Sequence, residues 1–184
     1  MNIEQCAWMV THSGLKFHLL QPDPDNVCID DIAVSLSRQC RFNGHGNRFY
    51  SIAEHCCHVC DYLLGQYGKD HGLCGLLHDA GEAYIGDITT PLKRLLPRVS
   101  EIEEHIMEVV YERFNLYPGK VGRRFIKQAD AAMLLIEAEA LGMDTRDWNV
   151  VASPGVSPRC KIFGWDEVMS REMFLCRFNV LRDA

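Results

Sequence analysis

Apolar positions recur three and four residues apart along most of this 184-residue chain, a period that predicts helices almost throughout. The exception near the start is "LKFHLLQPDPDNVCI", residues 15–29, where Pro22 and Pro24 forbid a helix and an extended, turn-rich segment is expected. Ile29, Ile32, Ala33 and Leu36 then fall at helical spacing behind Asp30 and Asp31, acids that suit a helix N-terminus. The glycines and asparagines of "RFNGHGNRFY" break the pattern. Ser51 and Glu54 stand at capping-box spacing, so a helix is expected to begin at Ser51, carry His55, Val59 and Leu63, and end by Gly65. Another is predicted from about Lys69 to Ala83, and a short one from Pro91, a residue suited to a first helical turn.

Ser100 and Glu103 repeat the capping-box spacing ahead of a helix to about Phe114. The longest helix follows Pro118. In it Phe125, Ile126, Ala129, Met133 and Ile136 keep a period of 3.6, with Gly142 as the stop. Residues 144–165, rich in Pro, Ser and Gly, are expected to form a long loop, and a last helix to run over 166–181. The fold class is therefore all-α, with the whole of 1–184 expected as one domain.

One stretch does not fit a plain helical core. "LCGLLHDAGEAYIGDITTPLKRLL", from Leu73 to Leu96, sets His78 beside Asp79, then Glu82 and Asp87, in apolar surroundings where unpartnered charge is costly. Glu82 lies three residues from Asp79 and four from His78, close to one helical face. His55, on the apolar stripe of its helix, and Asp130, inside "IKQADAAMLLI", fit the same chemistry. Two histidines and two aspartates mix nitrogen with oxygen and suit Mn²⁺, Fe²⁺, Co²⁺, Ni²⁺ or Zn²⁺, with positions left for water and substrate. Each residue alone has a plainer explanation: His55 as a hydrogen-bonded core histidine, Asp130 paired with Lys127 or Arg124, Glu82 as a solvated acid. Together they point to a divalent ion as the compensating charge.

Composition narrows the function. A hydrophobic fraction of 47% supports one sizeable core, and a net charge of -6 argues against coating nucleic acid, since that binding is driven by a surplus of Lys and Arg. The start "MNIEQCAWMVTHSG" lacks the basic and apolar regions of a secretory leader, and no apolar run is long enough to span a bilayer, so a cytoplasmic protein without a membrane partner is expected. Nine cysteines, an odd number, are expected to be thiols. Cys57 and Cys60, with His71 and Cys74, have a loose zinc-ligand spacing, against which stands cysteine's ordinary use as a small apolar filler.

The order His55, His78–Asp79, Asp130 resembles the HD-domain metal-dependent phosphohydrolases. The spacing HDxxExxxxD, which adds Glu82 and Asp87, resembles the branch containing bacterial 5'-deoxynucleotidases. The stretches "DIAVSLSRQCRFNGH", "RFYSIAEH", "EAYIGDITTPLKRLLP" and "IKQADAAMLLIEAEALG" are similar to small prophage and phage phosphohydrolases, including phage dATP triphosphohydrolases, over roughly residues 28–143. The resemblance implies an all-helical fold with one ion between helices held by His55, His78, Asp79 and Asp130. It implies Glu82 and Asp87 as the acids that position water and assist the leaving group, and Pro91 and Lys93 as pocket residues. The arginine-tryptophan pair of the monophosphatases is replaced here by "RQCRFNGHGNRF", which leaves the stacking aromatic open between Phe42 and Phe49.

Attack of water on phosphorus also needs cations for the phosphate oxygens and a proton for the departing alkoxide. Arg38, Arg41, Arg48, Lys93, Arg94 and Lys127 are the available cations, with Arg41, Lys93 and Lys127 the expected phosphate contacts. The expected reaction is release of a deoxynucleoside and triphosphate from a dNTP, dATP by resemblance, with Mg²⁺ accompanying the triphosphate and a homo-oligomer as the assembly. Three alternatives stay open. They are a 5'-deoxynucleotidase, a non-catalytic nucleotide or metal sensor, and a nucleic-acid module resting on "GKVGRRFIK".

Overall fold

The computed structural model describes residues 6–150, 153 and 155–183. Residues 1–5 and 184, and 151, 152 and 154 of the expected loop, lie outside them. The described chain is mostly helical, and it also holds a small sheet that helical periodicity did not predict. Strands β1 (Trp8–Val10) and β2 (Lys16–His18) pair antiparallel, Met9 opposite Phe17. The sheet is fixed at its turn and at its centre. Asp31 accepts from the backbone N–H and the hydroxyl of Ser13, each at 2.7 Å, and Phe17 stacks on Tyr84 with centroids 3.7 Å apart.

Helices follow as α1 (Ile29–Arg38), α2 (Ile52–Tyr67), α3 (Lys69–Leu76), α4 (Glu82–Ile85), α5 (Thr90–Leu95), α6 (Pro97–Arg113), α7 (Gly119–Ala140) and α8 (Glu167–Asp183). α2 is the central pillar, packed by α1, α3, α7 and α8, with Ala53, His55, Cys56, Cys57, Val59, Cys60 and Leu63 fully buried. Its start is as the sequence predicts, for the Ser51 hydroxyl accepts from the Glu54 N–H at 3.0 Å. The reciprocal half of the capping box is replaced. Buried Glu54 instead accepts the backbone N–H groups of Phe163, Gly164 and Trp165 at 2.8, 3.0 and 2.6 Å, clamping the segment that leads into α8.

α2 runs two residues past Gly65 and turns sharply into α3 at Gly68, whose φ of 85° is open to glycine at little cost. The two helices then approach closely because α3 carries Gly72 and Gly75. A Cβ on Gly72 would lie 2.8 Å from Cβ of Leu64, and one on Gly75 2.7 Å from Cδ1 of Leu63.

Two helix expectations are corrected. The predicted helix from Lys69 to Ala83 is broken: α3 ends at Leu76, residues 77–81 form turns, and the chain resumes as α4. The helix before Phe114 starts at Pro97, so Ser100 lies inside it and caps nothing. Proline at a first turn, with no N–H to satisfy, set that boundary. Among the described residues no helix is long and apolar enough to cross a membrane.

Candidate metal centre

The break after α3 is what assembles the site. His78 and Asp79 sit in the turn, so their side chains are freed from the 100° divergence that adjacent helical residues would have. They meet His55, from the buried face of α2, and Asp130, from the middle of α7. The Nε2 atoms of His55 and His78 are 3.2 Å apart. Oδ2 of Asp79 lies 3.5 Å from the first and 3.2 Å from the second. Oδ1 of Asp130 lies 3.3 Å from His55 Nε2 and 4.0 Å from His78 Nε2. One donor atom each from His55, His78 and Asp79 fall within 4.8 Å of one another, a group able to hold a metal ion.

Hydrogen bonding on the far side of each ring fixes what the near side offers. His78 Nδ1 donates to the carbonyl of Gly75 at 2.8 Å, and His55 Nδ1 donates to Oε1 of Glu137 at 2.6 Å. Both imidazoles therefore present Nε2 to the cluster, the arrangement that orients metal-binding histidines. Donors placed about 2.1 Å from one ion would be separated by roughly 3.0 to 3.4 Å along the edges of an octahedron or tetrahedron, close to most of the distances here. The donor set fits a divalent ion of the borderline class.

Charge leads to the same conclusion. Among the described residues, the carboxylates of Asp79, Asp130 and Glu137 are opposed at close range by a single Lys or Arg, Arg41. Arg41 Nε lies 3.1 Å from Glu137, Nη1 3.6 Å from Asp79 and Nη2 3.9 Å from Asp130. Burial works against a charged imidazole, yet the carboxylates of Asp79 and Asp130 raise His78 to about 9, and His55 is raised against burial and Arg41 by Glu137 and Asp130. Such negative potential attracts a cation, which binds by displacing protons.

The remaining acids sit beside the cluster. Glu82 opens α4 and is buried, its Oε2 without a hydrogen-bond partner among the described residues and its Oε1 3.5 Å from Lys93. Burial first, then Asp79 and Asp87, push its carboxyl well above the ordinary range. Asp87 is half-buried and raised chiefly by burial. Gln39 braces both: its amide donates to the Glu82 carbonyl and the Ser35 hydroxyl at 3.0 Å, and its oxygen accepts the Asp87 N–H at 3.1 Å.

The expected substrate residues are placed unevenly. Arg41 is held inside the carboxylate cluster, with its guanidinium 5.5 Å from the Phe42 ring, and Phe42 faces Trp148 at 6.1 Å. Lys93 is drawn to Glu103 at 2.6 Å as well as to Glu82, so it is not a free phosphate contact. Lys127 is exposed one turn before Asp130, and Pro91 is exposed in the first turn of α5. Arg38 pairs with Glu167 at 2.8 Å and Arg48 donates to the Ile162 carbonyl at 3.2 Å, which turns both to other partners.

The chain also has relatives. It is 38% identical over 178 residues to the Uncharacterized protein YfdR of Escherichia coli K12, covering 96% of this chain and 97% of that protein. The chain belongs to the YfdR family. The Uncharacterized protein RCAP_rcc00048 of Rhodobacter capsulatus is 35% identical over 144 residues, 73% of each chain. No family model matches the sequence.

Sequence reasoning missed Glu137, Tyr50 and Gln39. Glu137 is fully buried, bound by His55 and by the Tyr50 hydroxyl at 2.8 Å. Its signal was present: it lies seven residues after Asp130, on the same stripe of α7, where an apolar residue would be expected. Cys57, Cys60 and Cys74 are buried thiols, and His71 packs on Tyr67 and Phe125.

Proposed function

We propose that this protein is a metal-dependent phosphohydrolase of the HD-domain type acting at the α-phosphorus of deoxynucleotides. The observation that carries the reading is the convergence of two Nε2 atoms and two carboxylates from α2, the 77–81 turn and α7, with both Nδ1 atoms engaged elsewhere. His55, His78, Asp79 and Asp130 would hold the ion. When bound, a divalent ion supplies Lewis acidity toward water and toward a phosphoryl oxygen.

The chain's own residues supply the rest. Glu82, whose carboxyl burial raises well above the ordinary range and whose Oε2 has no hydrogen-bond partner among the described residues, is the group assigned to deliver a proton to the departing 5' oxygen. Asp87, held by Gln39, orients water. Arg41 offsets the negative charge that accumulates as phosphate enters, and Phe42 with Trp148 offers the aromatic face for a base.

The substrate form we propose is a deoxynucleoside triphosphate, dATP by resemblance, with Lys127, exposed one turn before Asp130, as the cation for the additional phosphate charge. A 5'-deoxynucleotidase is a second reading, favoured by the engagement of Arg38 and Arg48 with other partners. Purified protein incubated with each dNTP and dNMP plus Mn²⁺ or Co²⁺, with products resolved by chromatography, decides. Deoxynucleoside with triphosphate supports the first reading and turnover of dNMP alone supports the second. No turnover of any nucleotide with either metal would overturn both.

A further inference from the structure

A cleft of about 570 Å³ is walled by α2, α8 and the segment 157–165, and none of the four metal donors lines it. That volume is in the range of small-molecule sites. Its walls are unlike the rest of this acidic protein. Arg159, Lys161 and Arg177 stand at the cleft against one acid, Asp61, and Arg177 already takes Asp61 in a bidentate pair at 2.8 and 2.7 Å. Arg159 and Lys161, both exposed, form no ion pair among the described residues.

Beside those two cations are flat aromatic faces. Phe163 is 52% exposed, and its ring lies nearly parallel to that of Trp165, at an interplanar angle of 13° and a centroid distance of 5.8 Å. The backbone at both residues is fixed by the Glu54 clamp, so the surface is preorganised. His58 also lines the cleft. It is 6% exposed, and its Nε2 has no hydrogen-bond partner among the described residues, since Glu54 at 3.6 Å is too distant.

We propose that this cleft is a second ligand site, separate from the metal centre, for a small molecule that joins a planar ring to an anionic group. The ring stacks on Phe163 and Trp165, and the anion is taken by Arg159 and Lys161, whose Nζ lies 5.3 Å from the centroid of the Phe163 ring. Neither a hydrophobic ring alone nor a bare anion satisfies both features. The shared chemistry is found in nucleoside monophosphates and in aromatic carboxylates. A guanidinium and an ammonium side by side match phosphate or carboxylate oxygens through charge-assisted hydrogen bonds.

The test uses the full chain labelled with ¹⁵N. The indole N–H signals of Trp165 and Trp148, the latter beside Phe42, are assigned with Trp165→Phe and Trp148→Phe variants and followed during titration with AMP, adenosine, inorganic phosphate and indole-3-acetate. Saturable movement of the Trp165 signal is expected with AMP or indole-3-acetate, at least about tenfold tighter than with adenosine or phosphate. The better of the two names the anion as phosphate or carboxylate. Charge reversal of two exposed residues, Arg159→Glu with Lys161→Glu, leaves the fold intact and is expected to weaken that binding at least about tenfold. A Trp165 signal that stays fixed at millimolar ligand, movement confined to Trp148, or equal affinity in the charge-reversed chain would overturn the proposal.

Discussion

Oε1 of Glu137 accepts the Nδ1–H of His55 at 2.6 Å, at the bottom of a site where both residues are fully buried. The contact fixes the ring's orientation and tautomer, and it makes Nε2 a better donor toward the cluster. Glu137→Gln keeps the shape but removes the charge and the strong acceptor. A fall in metal affinity of about 10 to 100-fold is expected, read by calorimetric titration with Mn²⁺. Unchanged affinity would reduce Glu137 to a packing residue. Glu137→Ala goes further, since it leaves Arg41 buried beside a void, and should cost about 3–5 kcal/mol of stability in urea unfolding.

Asp79→Asn and Glu82→Gln separate holding the ion from using it. The first removes a donor that lies within 3.5 Å of both Nε2 atoms, and it should lose metal and turnover together. The second should bind metal as the wild type does and lose most of kcat, about 10² to 10⁴-fold for a proton-transfer group. Matching metal loss in both variants would make Glu82 a ligand.

Gly72→Ala tests the close approach that brings the α3 turn to α2. The added methyl would meet the Leu64 Cβ at 2.8 Å, a contact that only movement of the helices relieves. Overpacking of this kind costs about 1–3 kcal/mol. The expected signature is a lower urea midpoint together with weaker metal binding, because His78 is carried on the displaced element. A midpoint equal to the wild type would show that the two helices have room to part.

The buried thiols should be chemically silent. Burial pushes Cys60 up to about 12 and Cys74 up to about 11, and it holds Cys57 well above the ordinary thiol range, so the reactive thiolate is scarce near neutrality. Alkylation of native protein with iodoacetamide at pH 7.5, followed by peptide mass spectrometry, should modify exposed Cys6 and Cys176 and spare these three. Rapid labelling of Cys57 and Cys60 would contradict the packing of α2.

Much of this arrangement was legible in the sequence. The Ser51 cap and the apolar stripe of α7 follow from local spacing; the four histidine and aspartate donors stand out as ionisable residues in apolar surroundings, the resemblance to HD-domain phosphohydrolases implies them as one set, and the structure brings them together. What was not legible depends on contacts between distant segments. The periodicity through Leu73–Ala83 reads as one helix because nothing local marks the break at Leu77. The turn is useful only because α2 and α7 supply donors against it. The β1–β2 sheet is short, and its register depends on Phe17 meeting Tyr84 more than sixty residues away. Lys93, an expected phosphate contact, also pairs with Glu103, ten residues on. Charges that pair across elements cannot be told from free ones by spacing along a single element.

The most direct measurement is the anomalous scattering of a crystal grown with Mn²⁺. One strong peak is predicted, about 2.1 Å from Nε2 of His55 and of His78 and from a carboxylate oxygen of Asp79 and of Asp130. A map with no peak among those four side chains, or with its metal at Cys57 and Cys60, would contradict the account.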